Sequence, residues 1–200
     1  ISKKNFKQID LSFPRVYAII LNYNSSYETL GLYNNLSESK SENLEILVVD
    51  NASSLRDREQ LKDKIPEGSI IFNSKNVGYA GGNNIGLTKA IDGKADFVWI
   101  LNPDIRVEPD SLKVLLRSMQ SDYSLAAIGP RIVSRENKNK IFTDGEVIDV
   151  SNGIHTFHKN HNKPVFKKKV ALDYQVDYID GSSILLRTAV IKELGFLPEE

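Results

Sequence analysis

Polar clusters punctuate the first half of the chain where apolar runs stop: Asn22-Tyr23-Asn24, Asp50-Asn51, Asn76 to Asn84, and Asn102-Pro103-Asp104. A carboxylate at the lip of a buried strand is a hard oxygen donor. It suits Mg2+ or Mn2+, which keep waters and substrate oxygens as further ligands. Asp104 is such a carboxylate, on a turn stiffened by Pro103, although Asx-Pro also spells an ordinary turn. Asp50 stands where an open α/β fold can bind ribose or base; an Asx-turn or helix cap is the plainer reading.

The stretch Asn76-Val77-Gly78-Tyr79-Ala80-Gly81-Gly82-Asn83-Asn84-Ile85-Gly86 reads as a glycine-rich loop leading into a helix. Its glycines would let backbone approach a ligand, and the helix start would offer free N–H groups to phosphate. Glycines that merely permit tight packing explain the composition equally well. The spacing matches neither the dinucleotide fingerprint nor the P-loop, which disfavours both classes. Further on, Asp177 and Asp180 precede the small-residue turn Gly181-Ser182-Ser183, a sugar-site border or a solvated strand entry. His155, His158 and His161 lack a familiar metal-ligand spacing and read as a solvated loop. Lys167-Lys168-Lys169 reads as a solvated run, with contact to anionic lipid or an acceptor phosphate as the sharper alternative.

The elements that position these residues follow from periodicity. Val16–Leu21, Leu44–Val49, Ser69–Phe72 and Phe97–Leu101 are apolar runs of strand length, buried on both faces as in a parallel sheet. Helical patterns lie between them: one through Leu30, Tyr33 and Leu36, a charged one capped by Ser53 or Ser54 and running to about Ile65, and one through Ile85, Leu87 and Ala90. Another starts near Pro109. Weaker strands are expected at Leu125–Pro130, Ile141-Phe142, Val147-Ile148 and Val165-Phe166, a firm one at Tyr178–Arg187, and a short helix from Thr188 to Gly195. This alternation predicts an α/β open sheet, mostly parallel and twisted, flanked by helices, with a less regular C-terminal portion. Ligands bind beyond the carboxyl ends of such strands, where the polar clusters stand.

The chain has 200 residues, 40% hydrophobic and 26% charged, enough for one domain with a substantial core. Lys+Arg and Asp+Glu both total 26, so no net charge draws it to nucleic acid or anionic lipid. The absence of cysteine excludes disulfides and thiolate metal sites. No apolar run approaches the roughly 20 residues that span a bilayer. Residues 1–14 read as a polar leader, and the abrupt stop at Glu200 suggests that the natural protein continues.

In order and spacing, AIILNYNSSYETL, LEILVVDNASS, NSKNVGYAGGNNIGL, FVWILNPDIRVEPDSL and DYIDGSSILLRTAVIKELGFLPEE resemble the family 2 (GT-A type) glycosyltransferases, particularly the bacterial rhamnosyltransferase-like branch. The resemblance implies a single GT-A domain over 15–200, with a nucleotide-binding half at 15–120 and a truncated acceptor-side half at 121–200. It implies an inverting enzyme that moves a sugar from a dTDP- or UDP-sugar to a saccharide or lipid-linked acceptor in cell-surface polysaccharide synthesis. The place of action would be cytoplasmic, with peripheral contact at the inner membrane left open and no nucleic acid partner. The backbone around Leu21, Asn22 and Tyr23 and the side chain of Asp50 would hold base and ribose; Asn76, Gly78, Gly81, Gly82, Asn83 and Asn84 would line the nucleotide and diphosphate. Asp104, with Asn102 as a neutral partner where the motif usually has Asp, would hold the Mg2+ or Mn2+, and Gly181-Ser182-Ser183 would border the sugar. The general base is expected beyond Glu200, so a donor-binding domain without turnover stands as the alternative. A nucleotidyltransferase would need a different loop after the first strand.

Overall fold

The computed structural model describes residues 14–39, 43–151, 153–165 and 175–199. The expected leader, apart from Pro14, Phe166 and the Lys167–Lys169 run lie outside these residues. The central sheet contains β1 (Val16–Asn22), β2 (Leu44–Asp50), β3 (Ile70–Phe72), β4 (Phe97–Leu101), β5 (Ala127–Ile128) and β10 (Ser183–Arg187). Its order is β3-β2-β1-β4-β10-β5. The β3, β2, β1 and β4 strands run parallel, while β10 is antiparallel to both β4 and β5. Two small antiparallel sheets hang from it: β6 (Ile132–Val133) with β7 (Ile141–Thr143), and β8 (Glu146–Asp149) with β9 (His155–His158).

Helices cover both faces, which is why β1 and β4 are apolar without alternation. On one face Ala18, Ile20, Phe97 and Trp99 pack with Leu32 and Leu36 of α1 (Ser26–Glu38), Leu61 of α2 (Leu55–Lys62), and Leu112, Leu115 and Met119 of α4 (Ser111–Ser121). On the other, Tyr17, Ile19, Val98 and Ile100 pack with Leu87 and Ala90 of α3 (Gly78–Asp92) and Ile191 of α5 (Thr188–Leu194). Each large side chain so buried contributes about 1.5–3 kcal/mol. Among the described residues no helix is long and apolar enough to cross a membrane.

Several expected boundaries move. The glycine-rich stretch is itself helix, because α3 starts at Gly78, and its glycines face a strand. A Cβ on Gly82 would strike Leu21, and one on Gly86 would lie 2.7 Å from Ile19 Cγ2. The strand expected over Tyr178–Arg187 begins only at Ser183, since Tyr178 pairs with Glu146 instead. The histidine segment is a strand rather than a loop, although His155 and His158 are exposed on it as expected. Gly153, at φ +115, lies in the loop that turns β8 back onto β9. The charged helix stops at Lys62, and Ile65 is buried just after it, its N–H still bonded to Leu61 O.

β5 lies parallel to β4, and β10 returns antiparallel between them. The excursion 129–182 therefore leaves and re-enters the sheet on the side of the carboxyl ends of β1, β2 and β4. Gly129 and Ile179 touch at its base.

Gly86→Val should destabilise the fold by about 1–3 kcal/mol through overpacking against Ile19, which is fully buried. The measurement is the urea midpoint; an unchanged midpoint would show that α3 can move off β1.

Candidate functional site

The carboxyl ends of β1 and β2 meet in a buried polar knot. Asn22 is fully buried, and its Nδ2 lies 2.9 Å from Asp50 Oδ1, 2.9 Å from Ser53 Oγ and 2.8 Å from Asp57 Oδ2. Its Oδ1 accepts from the Thr29 hydroxyl of α1. Asp50, also fully buried, accepts from the Ser53 N–H and stands 2.9 Å from Arg58 Nε. Asp57 accepts from the Ser26 N–H, so a side chain of α2 caps the first turn of α1. Burial pushes the Asp57 carboxyl up, but hydrogen bonds from Ser26, Asn22 and Ser53 outweigh it and hold it below the ordinary carboxylate value. Asp50, expected as a ligand-facing carboxylate, is thus turned inward and fastens β2 to β1 and α2.

Asn51, a neighbour not expected as a site residue, organises the next loop. It is 2% exposed and uses its whole amide. Its Oδ1 accepts from Asn73 Nδ2 and the Val77 N–H, and its Nδ2 donates to Asn76 Oδ1 and Gly78 O. Asn76 Oδ1 also accepts from the Gly78 N–H. The result is a fixed entry to α3, with Gly78 at φ +77 and no acidic residue in the first turn. Asn76, Gly78 and Tyr79 are exposed there, and Tyr23 is exposed beyond β1.

Asn102-Pro103-Asp104 follows β4. The Asn102 N–H donates to Ser182 O at 2.9 Å, which ties this turn to Gly181-Ser182. Arg106 braces it from below, donating to Pro103 O and pairing with Glu28 of α1. A Cβ on Gly31 would strike the Arg106 guanidinium, so Gly31 leaves the room it needs. Asp104 is exposed and makes no hydrogen bond or ion pair with any described residue. A free carboxylate beside an amide on a braced turn fits the donor set of a hard divalent cation.

Tyr79 closes the ring of contacts, its hydroxyl donating to Gly181 O at 2.9 Å. Burial, then Tyr178 and Asp180, push its phenol up, so it remains a donor at neutral pH. The structure therefore brings Tyr23, Asn76, Gly78, Asn102, Asp104, Gly181 and Ser182 to one side of the sheet. It sets others behind that surface: Gly82 packs on Leu21, while Asn83 is fully buried, donating to Tyr79 O with its Oδ1 unpartnered among the described residues. Asn84 is committed elsewhere. It donates to Leu197 O and Glu199 Oε1 and accepts from the Leu197 N–H, clamping the segment after α5 onto α3. Gly81 lies under that segment, where a Cβ would sit 3.5 Å from Glu199 Cδ.

A model of the family described as Glycosyl transferase family 2 matches residues 17–195. The chain is 32% identical to the low-salt glycan biosynthesis hexosyltransferase Agl10 of Haloferax volcanii, over 90% of this chain and 55% of that protein. It is 24% identical to the dTDP-rhamnosyl transferase RfbF of Shigella flexneri, over 92% of this chain and 58% of the relative. It thus spans a little over half the length of these relatives. Among solved structures, the mannosyltransferase PcManGT of Pyrobaculum calidifontis, in complex with GDP-Man and Mn2+, superposes with a TM-score of 0.63 at 16% identity, covering 92% of this chain and 48% of that one. S. aureus TarS 1–349 in complex with UDP-GlcNAc gives 0.55 at 18% identity, covering 93% and 49%. At these identities the likeness carries the GT-A fold, an open and mostly parallel sheet flanked by helices.

Asn51→Ala removes the anchor of the α3 entry and should cost about 1–3 kcal/mol, because buried donors lose their partners; chemical denaturation measures it. For Asp57, folding lowers the pKa from its ordinary value of 3.8, so its stabilisation is complete above that pH and lost as pH falls through the folded value. Asp57→Asn should therefore be less stable than the unsubstituted protein at neutral pH, with the gap closing below about pH 4. A gap that stays constant with pH would count against the assignment.

Proposed function

The chain belongs to glycosyl transferase family 2, and on that basis we propose that it transfers a hexose from a nucleotide-diphosphate sugar, dTDP- or UDP-linked, to a saccharide or lipid-linked acceptor with inversion at the anomeric carbon. The observation that carries this reading is Asp104, an unpaired carboxylate on a braced turn, joined through Asn102 to the Gly181-Ser182 loop.

The main chain at Leu21-Asn22-Tyr23 and the exposed Tyr23 receive base and ribose, with the buried Asn22 and Asp50 side chains fixing that strand end from behind. Asn76, Gly78 and the start of α3 receive the diphosphate, whose negative charge suits the unpaired N–H groups of a helix N-terminus. Asp104 and Asn102 hold a divalent cation, Mg2+ or Mn2+, which when bound offsets charge on the leaving diphosphate. Gly181 and Ser182 leave space for the sugar, and Tyr79 keeps their loop at a fixed distance from α3. Gly81, Gly82, Asn83 and Asn84 act mainly by seating α3 and the segment after α5. The cellular role proposed is assembly of a cell-surface polysaccharide, at the cytoplasmic face of the membrane.

A second reading is donor binding without turnover, since the residues assigned above all hold the donor or its cation. Both readings require donor binding. UDP, dTDP or GDP with Mn2+ should raise the melting temperature; Asp104→Ala and a chelator should each reduce the shift, and no shift with any of them would defeat both readings. Transfer from a radiolabelled donor to a glycan acceptor then separates the two.

A further inference from the structure

The β8–β9 hairpin sets Glu146 opposite His158 as register partners. The loop that enters β10 delivers Asp180 to the same place, so that one ligand atom from each of the three residues lies within 4.8 Å of the others. We propose that Glu146, His158 and Asp180 form a divalent-cation site of their own, sharing no residue with Asn102 and Asp104, which takes a borderline ion such as Zn2+ or Mn2+. The ion joins the hairpin to the loop in front of Gly181-Ser182.

The main chain preforms the site. The Glu146 N–H donates to Tyr178 O at 2.8 Å, and Glu146 O accepts from the N–H groups of Asp177 and Tyr178 at 3.1 and 3.2 Å. The side chains are therefore brought together by backbone pairing, not by their own attraction. Two carboxylates held this close repel each other, and the one imidazole between them makes a loose pair: His158 Nδ1 stands 3.5 Å from Glu146 Oε1, too far for a strong hydrogen bond. A cation relieves that repulsion and draws the three ligand atoms inward.

The donor set selects the ion. One imidazole nitrogen and two carboxylate oxygens suit Zn2+ or Mn2+. They are too few for the six to eight oxygens that Ca2+ gathers. Asp180 is oriented by the Ser182 N–H on its Oδ1 at 2.8 Å, which leaves Oδ2 for the ion. The His158 ring lies 4.9 Å from that of Phe142 and 5.8 Å from that of His161, which limits its rotation. Glu146 and Asp180 are half-buried and His158 is exposed, so waters can complete the coordination.

The test uses tag-free protein without any nucleotide, titrated with ZnCl2 or MnCl2 by calorimetry and followed by thermal shift. Asp104→Ala, which lacks the carboxylate proposed above for the other cation, should bind one equivalent and gain melting temperature. In that background His158→Ala and Glu146→Gln should bind at least tenfold more weakly, while His155→Ala, on the same strand, should not change. Far-UV circular dichroism checks that the exposed substitutions leave the fold intact. Absence of binding by Asp104→Ala without nucleotide, or undiminished binding when His158→Ala is added to it, would each overturn the proposal. Because no nucleotide is present, its failure is separable from failure of the glycosyltransferase reading.

Discussion

The carboxyl ends of parallel strands release polar groups into a region closed to water on two sides, and something must satisfy them. Here Asn22, Asp50 and Asn51 do so with side chains. Asn22 and Asp50 draw α1 and α2 onto the sheet edge through Thr29, Asp57 and Arg58, and Asn51 draws in the entry of α3. Buried and half-buried charges at this place are tolerable only because nearly every lone pair is met; an incomplete set would cost more than an apolar replacement. The surface above inherits its rigidity from this layer.

Close approach does the remaining work. Gly82 and Gly86 let α3 settle directly on Leu21 and Ile19, which lowers the helix start to the level of the strand ends. Tyr79 then reaches across to Gly181, and Asn102 reaches Ser182 from the other side. Asp104 is left exposed beside them, with no hydrogen bond or ion pair to any described residue.

Much of this could be read from the residues. The doubly buried strands announced themselves by unbroken apolar runs, and the row of polar strand ends marked the side of the sheet where the candidate residues gather. What could not be read was direction. Asp50 and Asn84 have the residue types of ligand contacts, yet one points into the knot and the other grips Leu197 and Glu199. Side-chain direction at a strand end depends on neighbours far away in sequence, here 113 and 115 positions away for Asn84. The glycines of α3 were read as loop because their low helix propensity carries no sign of the strand they pack against. Spacing along the chain carries no sign of the carboxylates beside His158, because they come from a cross-strand neighbour and from a loop after a long excursion.

That excursion, residues 129–182, has its two ends in contact at Gly129 and Ile179 and opens on the binding side of the sheet. A segment hung this way behaves as an exchangeable cassette. Its length and composition can change at a loop-closure cost of only about 0.6 kcal/mol per doubling, and no strand of the parallel half need shift register to accommodate it. Variation in this stretch can therefore evolve by replacing one contiguous piece of gene, while the parallel half of the sheet is inherited unchanged.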